Sequence, residues 1–183
     1  MIETNFKVTK SEIAFSGRVF DIQVDEIVYD SGNPGYRETV LHSGGAVVVP
    51  VKDDGKIVMI NQYRYPLKKY VTELPAGKLF TGEDPLNCAV RELEEETGYK
   101  TEKVVKLGAI CTTPGFCSEI LHIYIAQKLV PGDHNREEGE YGMQMHEYTF
   151  KQIEDMISAG EIYDGKTLSG LMMAKIYLER HSG

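Results

Sequence analysis

Between Gly77 and Gly98 the chain carries Glu83, Glu92, Glu94, Glu95 and Glu96. Carboxylates hold hard divalent cations through oxygen, and they accept protons in general-base chemistry, so their spacing matters first. Asp84 as an N-cap, Pro85 at the first helical position and Gly98 as a stop predict a helix over Pro85 to Thr97. At about 100° per residue, Leu86, Ala89, Val90, Leu93 and Thr97 share a core-facing side, while Glu92 and Glu96 lie one turn apart on another, with Glu95 beside them. Like charges at these spacings cost about 0.2 to 0.5 kcal/mol per pair, and acids in a last helical turn oppose the helix dipole. One reading is a solvated acidic face, as most charge runs are. The other is a cation site, in which Mg²⁺ offsets the repulsion and keeps several of its waters. A local rule broken without local compensation points towards a site.

The spacing separates these readings. Gly77, five residues, Glu83, seven residues, then Arg91-Glu92-Leu93-Glu94-Glu95-Glu96-Thr97-Gly98-Tyr99 resembles the Nudix box, Gly-x5-Glu-x7-Arg-Glu-U-x-Glu-Glu-x-Gly-U, where U is aliphatic. Every fixed position matches except the last, where Tyr99 stands in for an aliphatic residue. The resemblance implies a hydrolase of nucleoside diphosphates linked to another moiety, using divalent cations. It implies an α+β fold, a Nudix-type α/β/α sandwich with a mixed sheet, plus a small N-terminal antiparallel strand domain. For metal, Glu92 and Glu96 are the leading candidates, with the carbonyl of Ala76 and with Glu95 as third contributor, since a pair one turn apart can hold one or bridge two Mg²⁺ ions. Mn²⁺ is the alternative ion, with two or three ions per site. Glu83 and Arg91 suit an ion pair tying the box loop to the helix, and a direct catalytic part for Arg91 stands beside that structural one.

A polarised water still needs a base, and Glu137-Glu138-Gly139-Glu140 offers carboxylates on a polar loop. In the related ADP-ribose pyrophosphatases a late loop supplies a Glu-x-Glu arrangement. Glu138 and Glu140 match it, as base and as further metal contact, and the alternative is a solvated loop; Glu95 is a second catalytic candidate. Pro114, sixteen residues after Gly98, resembles the proline that marks that subfamily, with Glu119 in the same substrate loop. Arg64, in Gln62-Tyr63-Arg64, matches a subfamily arginine near the substrate. Arg18 and Arg37 would suit a diphosphate through bidentate contacts, though singly each fits a surface charge. Phe20 or Tyr36 could stack on adenine, whereas His42, His122, His134 and His146 lack ligand spacing.

These residues need a scaffold, and 183 residues at 42% hydrophobic can bury one. Residues 1–43 read as an N-terminal strand segment and 44–183 as the main domain. About three antiparallel strands are expected between Glu12 and His42, then a hairpin of Ala46–Val51 and Ile57–Gln62 in a buried sheet. An extended piece follows at Val71–Leu74. After the box helix come strands at Val104–Thr112, Ile120–Leu129 and Met143–Phe150, then helices at about Lys151–Ala159 and Lys166–Arg180. Cys88, Cys111 and Cys117 are odd in number and form no Cys-x-x-Cys pair, against a disulfide framework or zinc site. No apolar run nears 18 residues and MIETNFKVTK lacks a signal-peptide pattern, so a soluble, cytoplasmic protein without membrane partners is expected. A net charge of −8 argues against nucleic-acid polymers but allows a small anionic substrate met by local cations.

The resulting expectation is a Mg²⁺-dependent ADP-ribose pyrophosphatase acting on a small nucleoside diphosphate sugar. Alternatives are a Nudix hydrolase of another such sugar, GDP-mannose for one, and a non-catalytic nucleotide sensor, against which the intact set of box glutamates argues. The N-terminal strands are too few for a core of their own, and related enzymes exchange this segment, which implies a domain-swapped homodimer.

Overall fold

The computed structural model describes residues 4–133 and 142–181. The chain divides into two compact units, Met1–Gly44 with Cys111–Ile120, and Gly45–Ile110 with Leu121–Gly183. In the smaller unit β1 (Phe6–Ser16), β2 (Asp21–Tyr29) and β3 (Pro34–Leu41) form an antiparallel sheet in that order. The first strand starts earlier than expected, because Phe6, Val8 and Lys7, Thr9 already alternate with the strand period. Only Ile27 is buried in this sheet, while Val8, Ile13 and Phe15 are about half exposed. The 111–120 stretch joins the end of β3. Val40 N donates to Phe116 O at 2.7 Å, and Ser118 N donates to Val40 O at 2.9 Å.

In the larger unit the strands are β4 (Gly45–Pro50), β5 (Ile57–Arg64), β6 (Lys69–Glu73), β7 (Ala76–Lys78), β8 (Tyr99–Cys111), β9 (Ile120–Pro131) and β10 (Gln144–Tyr148). Helices α1 (Pro85–Thr97), α2 (Phe150–Ser158) and α3 (Gly165–His181) complete it. One sheet runs β7-β4-β9-β8 and is mixed, with β4 antiparallel to β7 and parallel to β9. The other, β10-β5-β6, is antiparallel. β4 is buried on both faces, which is why it reads as an unbroken apolar run. Val47 and Val49 join Ile153 of α2 and Leu171 and Ala174 of α3 in one core. Ala46 and Val48 join Ala89 and Leu93 of α1 in another. The mixed sheet therefore lies between helices, the sandwich the box implies.

The expected β4–β5 hairpin does not form. Both edges of β4 are occupied, one by β7 and the other by β9, so β5 enters the second sheet and a single bridge, Val51 to Ile57, remains. Among the described residues no helix is long and apolar enough to cross a membrane.

Candidate active site

Helix α1 starts and stops where its local chemistry requires. Asp84 Oδ1 accepts from Leu86 N at 2.8 Å, Pro85 opens the first turn, and Gly98 turns left-handed at φ 70° while its N–H bonds Glu94 O. Its buried residues form two rows at spacing four, Ala89-Leu93-Thr97 and Cys88-Glu92-Glu96. The first row packs on the sheet. The second replaces part of the expected apolar face, for Leu86 is 40% exposed while Glu92 and Glu96 are 6% and 2% exposed. Burying Leu93 is worth about 1.5 to 3 kcal/mol, more than the repulsion between neighbouring carboxylates, so core packing holds the acidic turn in place.

Strand β7 lies against that second row. Ala76 N donates to Glu96 Oε2 at 3.0 Å. A Cβ at Gly77 would fall 1.7 Å from Glu92 Oε1, so the box glycine is required by close approach of strand and carboxylate. Arg91 offsets the charge. Its Nη1 donates to Glu92 Oε1 at 2.6 Å and Glu95 Oε2 at 2.9 Å, and its Nε donates to Glu83 Oε1 at 3.0 Å. Burial works against the Arg91 charge, but bonds to Glu83 and Glu92 outweigh it and hold the guanidinium firmly protonated. The Arg91 bonds likewise hold the Glu83 carboxyl below its usual range. Burial, with Glu92 and Glu83 nearby, pushes the Cys88 thiol up to about 12, so it stays neutral beside them. This is the geometry of a tie between box loop and helix, the structural alternative for Glu83 and Arg91.

Gln62, Arg64, Ala76, Glu92, Glu95 and Glu96 line a cavity of about 270 Å³. A larger hollow of about 600 Å³ lies beside Lys52, Lys103, Lys128 and Lys175. Lys52 and Lys175 there are matched by Glu147 and Glu154 at 2.7 and 2.6 Å, and the hollow lacks the clustered buried carboxylates of the smaller one. The smaller cavity suits a hard cation. Its donors are carboxylate and main-chain oxygens, and Gln62 has a buried Oε1 without a partner among the described residues. Among those residues no three acidic, imidazole or thiol groups converge as a ready cluster. Such a site fits Mg²⁺, which is commonly held by one or two carboxylates with water completing its shell.

Arg18, Arg37, Pro114 and Glu119 belong to the smaller unit. Arg37 donates to Tyr29 Oη and Tyr36 O, both at 2.9 Å, and lies over the Phe6 ring at 5.4 Å. Glu119 Oε1 is 3.2 Å from His42 Nδ1. Pro114 sits in a turn closed by Cys117 N donating to Thr113 O at 2.9 Å, and Arg18 is exposed between β1 and β2. Glu138 and Glu140 lie outside the described residues. Sequence reasoning missed Gln62 and Glu73 as neighbours of Arg64. The strand period was the available signal, since Gln62 and Arg64 are two apart on β5 and share a face.

A family model described as NUDIX domain matches residues 41–167. ADP-ribose pyrophosphatase of Bacillus subtilis (strain 168) is 41% identical over 163 residues, covering 88% of each chain. A Bacillus methanolicus protein named methanol dehydrogenase activator is 43% identical over 164 residues, again covering 88% of each. The crystal structure of an ADP compounds hydrolase matches with a TM-score of 0.85 over 98% of this chain and 97% of that one, at 18% identity, a likeness of fold. With Glu92, Glu95 and Glu96 of the box gathered on α1 and a family match spanning most of its length, the chain belongs to the NUDIX family.

Proposed function

We propose that this chain is a hydrolase of the ADP-ribose diphosphate, releasing AMP and ribose 5-phosphate. The observation that carries the proposal is the buried pair Glu92 and Glu96, pressed against β7 in a cavity that also holds Arg64. Similarity to an ADP-ribose pyrophosphatase supports the substrate. Glu92, Glu96 and the Ala76 carbonyl would hold Mg²⁺ or Mn²⁺, two or three ions per site, with Glu95 and Glu140 as further contacts. When bound, such ions neutralise the diphosphate charge and acidify a water. Glu138 accepts the proton of the attacking water. The water oxygen joins one phosphorus, and the bridging oxygen leaves with the other phosphate. Arg64, Arg18 and Arg37 meet phosphate oxygens through their forked donors, and Pro114 and Glu119 shape the substrate loop. The protein contributes position and charge rather than a covalent nucleophile.

The working form is a homodimer that exchanges its N-terminal strands. The apolar Val8, Ile13 and Phe15, which the β1–β3 sheet leaves about half exposed, support this. Cys88, Cys111 and Cys117, all free thiols, agree with a reducing cytoplasm. The test is hydrolysis in Mg²⁺ of a panel holding ADP-ribose, GDP-mannose and a nicotinamide dinucleotide. AMP and ribose 5-phosphate from ADP-ribose as the preferred substrate is the expected result, with ¹⁸O water marking the phosphorus attacked. A preference for another panel member overturns the substrate, and no turnover on any member overturns the reaction.

A further inference from the structure

Glu73 is a carboxylate in an apolar place. It ends β6 at 2% exposure, next to the fully buried Leu74. Two cations from distant segments meet it. Arg64 donates from Nε at 2.7 Å and from Nη2 at 2.6 Å, a two-pronged fork, and Lys166 at the start of α3 donates to Glu73 Oε2. Lys166 also donates to Asp164 Oδ2 at 2.8 Å, and Asp164 accepts from Thr167 Oγ1 at 2.6 Å. Thr167 Oγ1 in turn accepts from Leu74 N at 2.9 Å. Burial would raise the Asp164 pKa, but Lys166 and Thr167 outweigh it and keep the carboxyl ionised.

Stability alone does not account for this cluster, because buried ion pairs are often no better than apolar residues of the same volume. Orientation does. The β5–β6 register sets Ile60 opposite Glu73 and Gln62 opposite Val71, so Gln62, Arg64 and Glu73 share one face of the sheet. Glu73 grips one edge of the Arg64 guanidinium, and the Nη1 group is left for another acceptor. Arg64 lines the cavity that Glu92, Glu95 and Glu96 also line. Charges of Arg64, Lys166, Glu73 and Asp164 cancel, so the cluster supplies direction rather than long-range attraction.

We propose that Lys166 and Glu73 are positioning residues for phosphate binding: Lys166 fixes Glu73, and Glu73 aims the Arg64 guanidinium at a diphosphate oxygen in the carboxylate cavity. This rests on reading that cavity as a nucleoside diphosphate site. The test is a double-mutant cycle read by calorimetric binding of ADP in Mg²⁺, with melting temperature measured alongside. Lys166→Met is expected to weaken ADP about tenfold in the otherwise native chain and less than about twofold in an Arg64→Ala background. Lys166→Arg restores affinity to within about threefold of wild type. Equal losses in both backgrounds, unchanged affinity with a lowered melting temperature, or a wild-type chain that binds no ADP each overturn the proposal. Should Lys166→Met not fold, Arg64→Lys keeps a cation beside Glu73 without the fork. It is expected to lose about tenfold in ADP affinity at unchanged melting temperature, and full affinity in that variant overturns the proposal. Coupled binding losses in a chain that hydrolyses no panel member would sink the proposed reaction and leave the positioning standing. Additive losses in a chain that does hydrolyse ADP-ribose would do the reverse.

Discussion

At Glu96 two demands meet in one side chain. The carboxylate is 2% exposed and accepts from Ala76 N, yet it sits in a helical turn crowded with like charge. Glu96→Gln keeps the shape and an amide oxygen for Ala76 N while removing the charge a cation needs. The expected outcome is an unchanged circular dichroism spectrum with kcat lowered by more than tenfold at saturating Mg²⁺, more than about 1.4 kcal/mol of barrier. Turnover within about threefold of wild type would remove Glu96 from the metal site. Cys88 gives a second prediction. Its thiol is fully buried and titrates at about 12 rather than the ordinary 9.0, so folding favours the neutral form. A raised pKa contributes stability that is complete below pH 9 and is lost as pH rises towards 12, where the unfolded chain has already released its proton. Denaturant melts at intervals above pH 9 should therefore show the gap between wild type and Cys88→Ala shrinking; a constant gap would refute it. The glutamates were legible because their meaning lies in local spacing. The burial of Glu92 and Glu96 was not, since it depends on β7, a strand of only Ala76–Lys78 with no periodic signal.

Helix α1 and strand β7 act as one device, and Gly77 is the point where they touch. Replacing it with alanine puts a methyl where Glu92 Oε1 now lies, and Glu92 cannot simply swing away while Arg91 holds it at 2.6 Å. Gly77→Ala should retain its fold, with a melting temperature lower by a few degrees, roughly 1 kcal/mol or more, but lose most Mn²⁺ affinity by calorimetry. Unaltered Mn²⁺ binding in a folded Gly77→Ala chain would show that the strand does not shape the metal site. Helix ends were readable from Asp84, Pro85 and Gly98 because caps are local chemistry. Sheet membership was not, and the β4–β5 hairpin shows why. A short turn between apolar runs signals pairing, but here β7 and β9 take both edges of β4. Lys166 and Glu73, 93 residues apart in the chain, were beyond any local pattern.

For the molecule as a whole, the open matter is how many chains make one working site. The β1–β3 sheet buries little beyond Ile27, and the two terminal amines of its Arg37 donate to the Tyr36 carbonyl and to Tyr29 Oη. A lone sheet of this size is marginal in water, and exchange between copies would bury its apolar residues in a closed pair. The proposed homodimer then makes a prediction that no monomeric reading shares. Arg37→Ala and Glu96→Gln chains, each inactive alone, are dissociated, mixed in equal amounts and reassociated. If sites are shared, half of the dimers are mixed and each regains one site with Arg37 from one chain and Glu96 from the other. Activity should then recover to about a quarter of wild type, with statistical mixing checked by native mass spectrometry. Recovery no greater than the sum of the parents in verified mixed dimers would place each site within a single chain. A stable, fully active monomer at nanomolar concentration would do the same, and the exposed apolar sheet would then need another explanation.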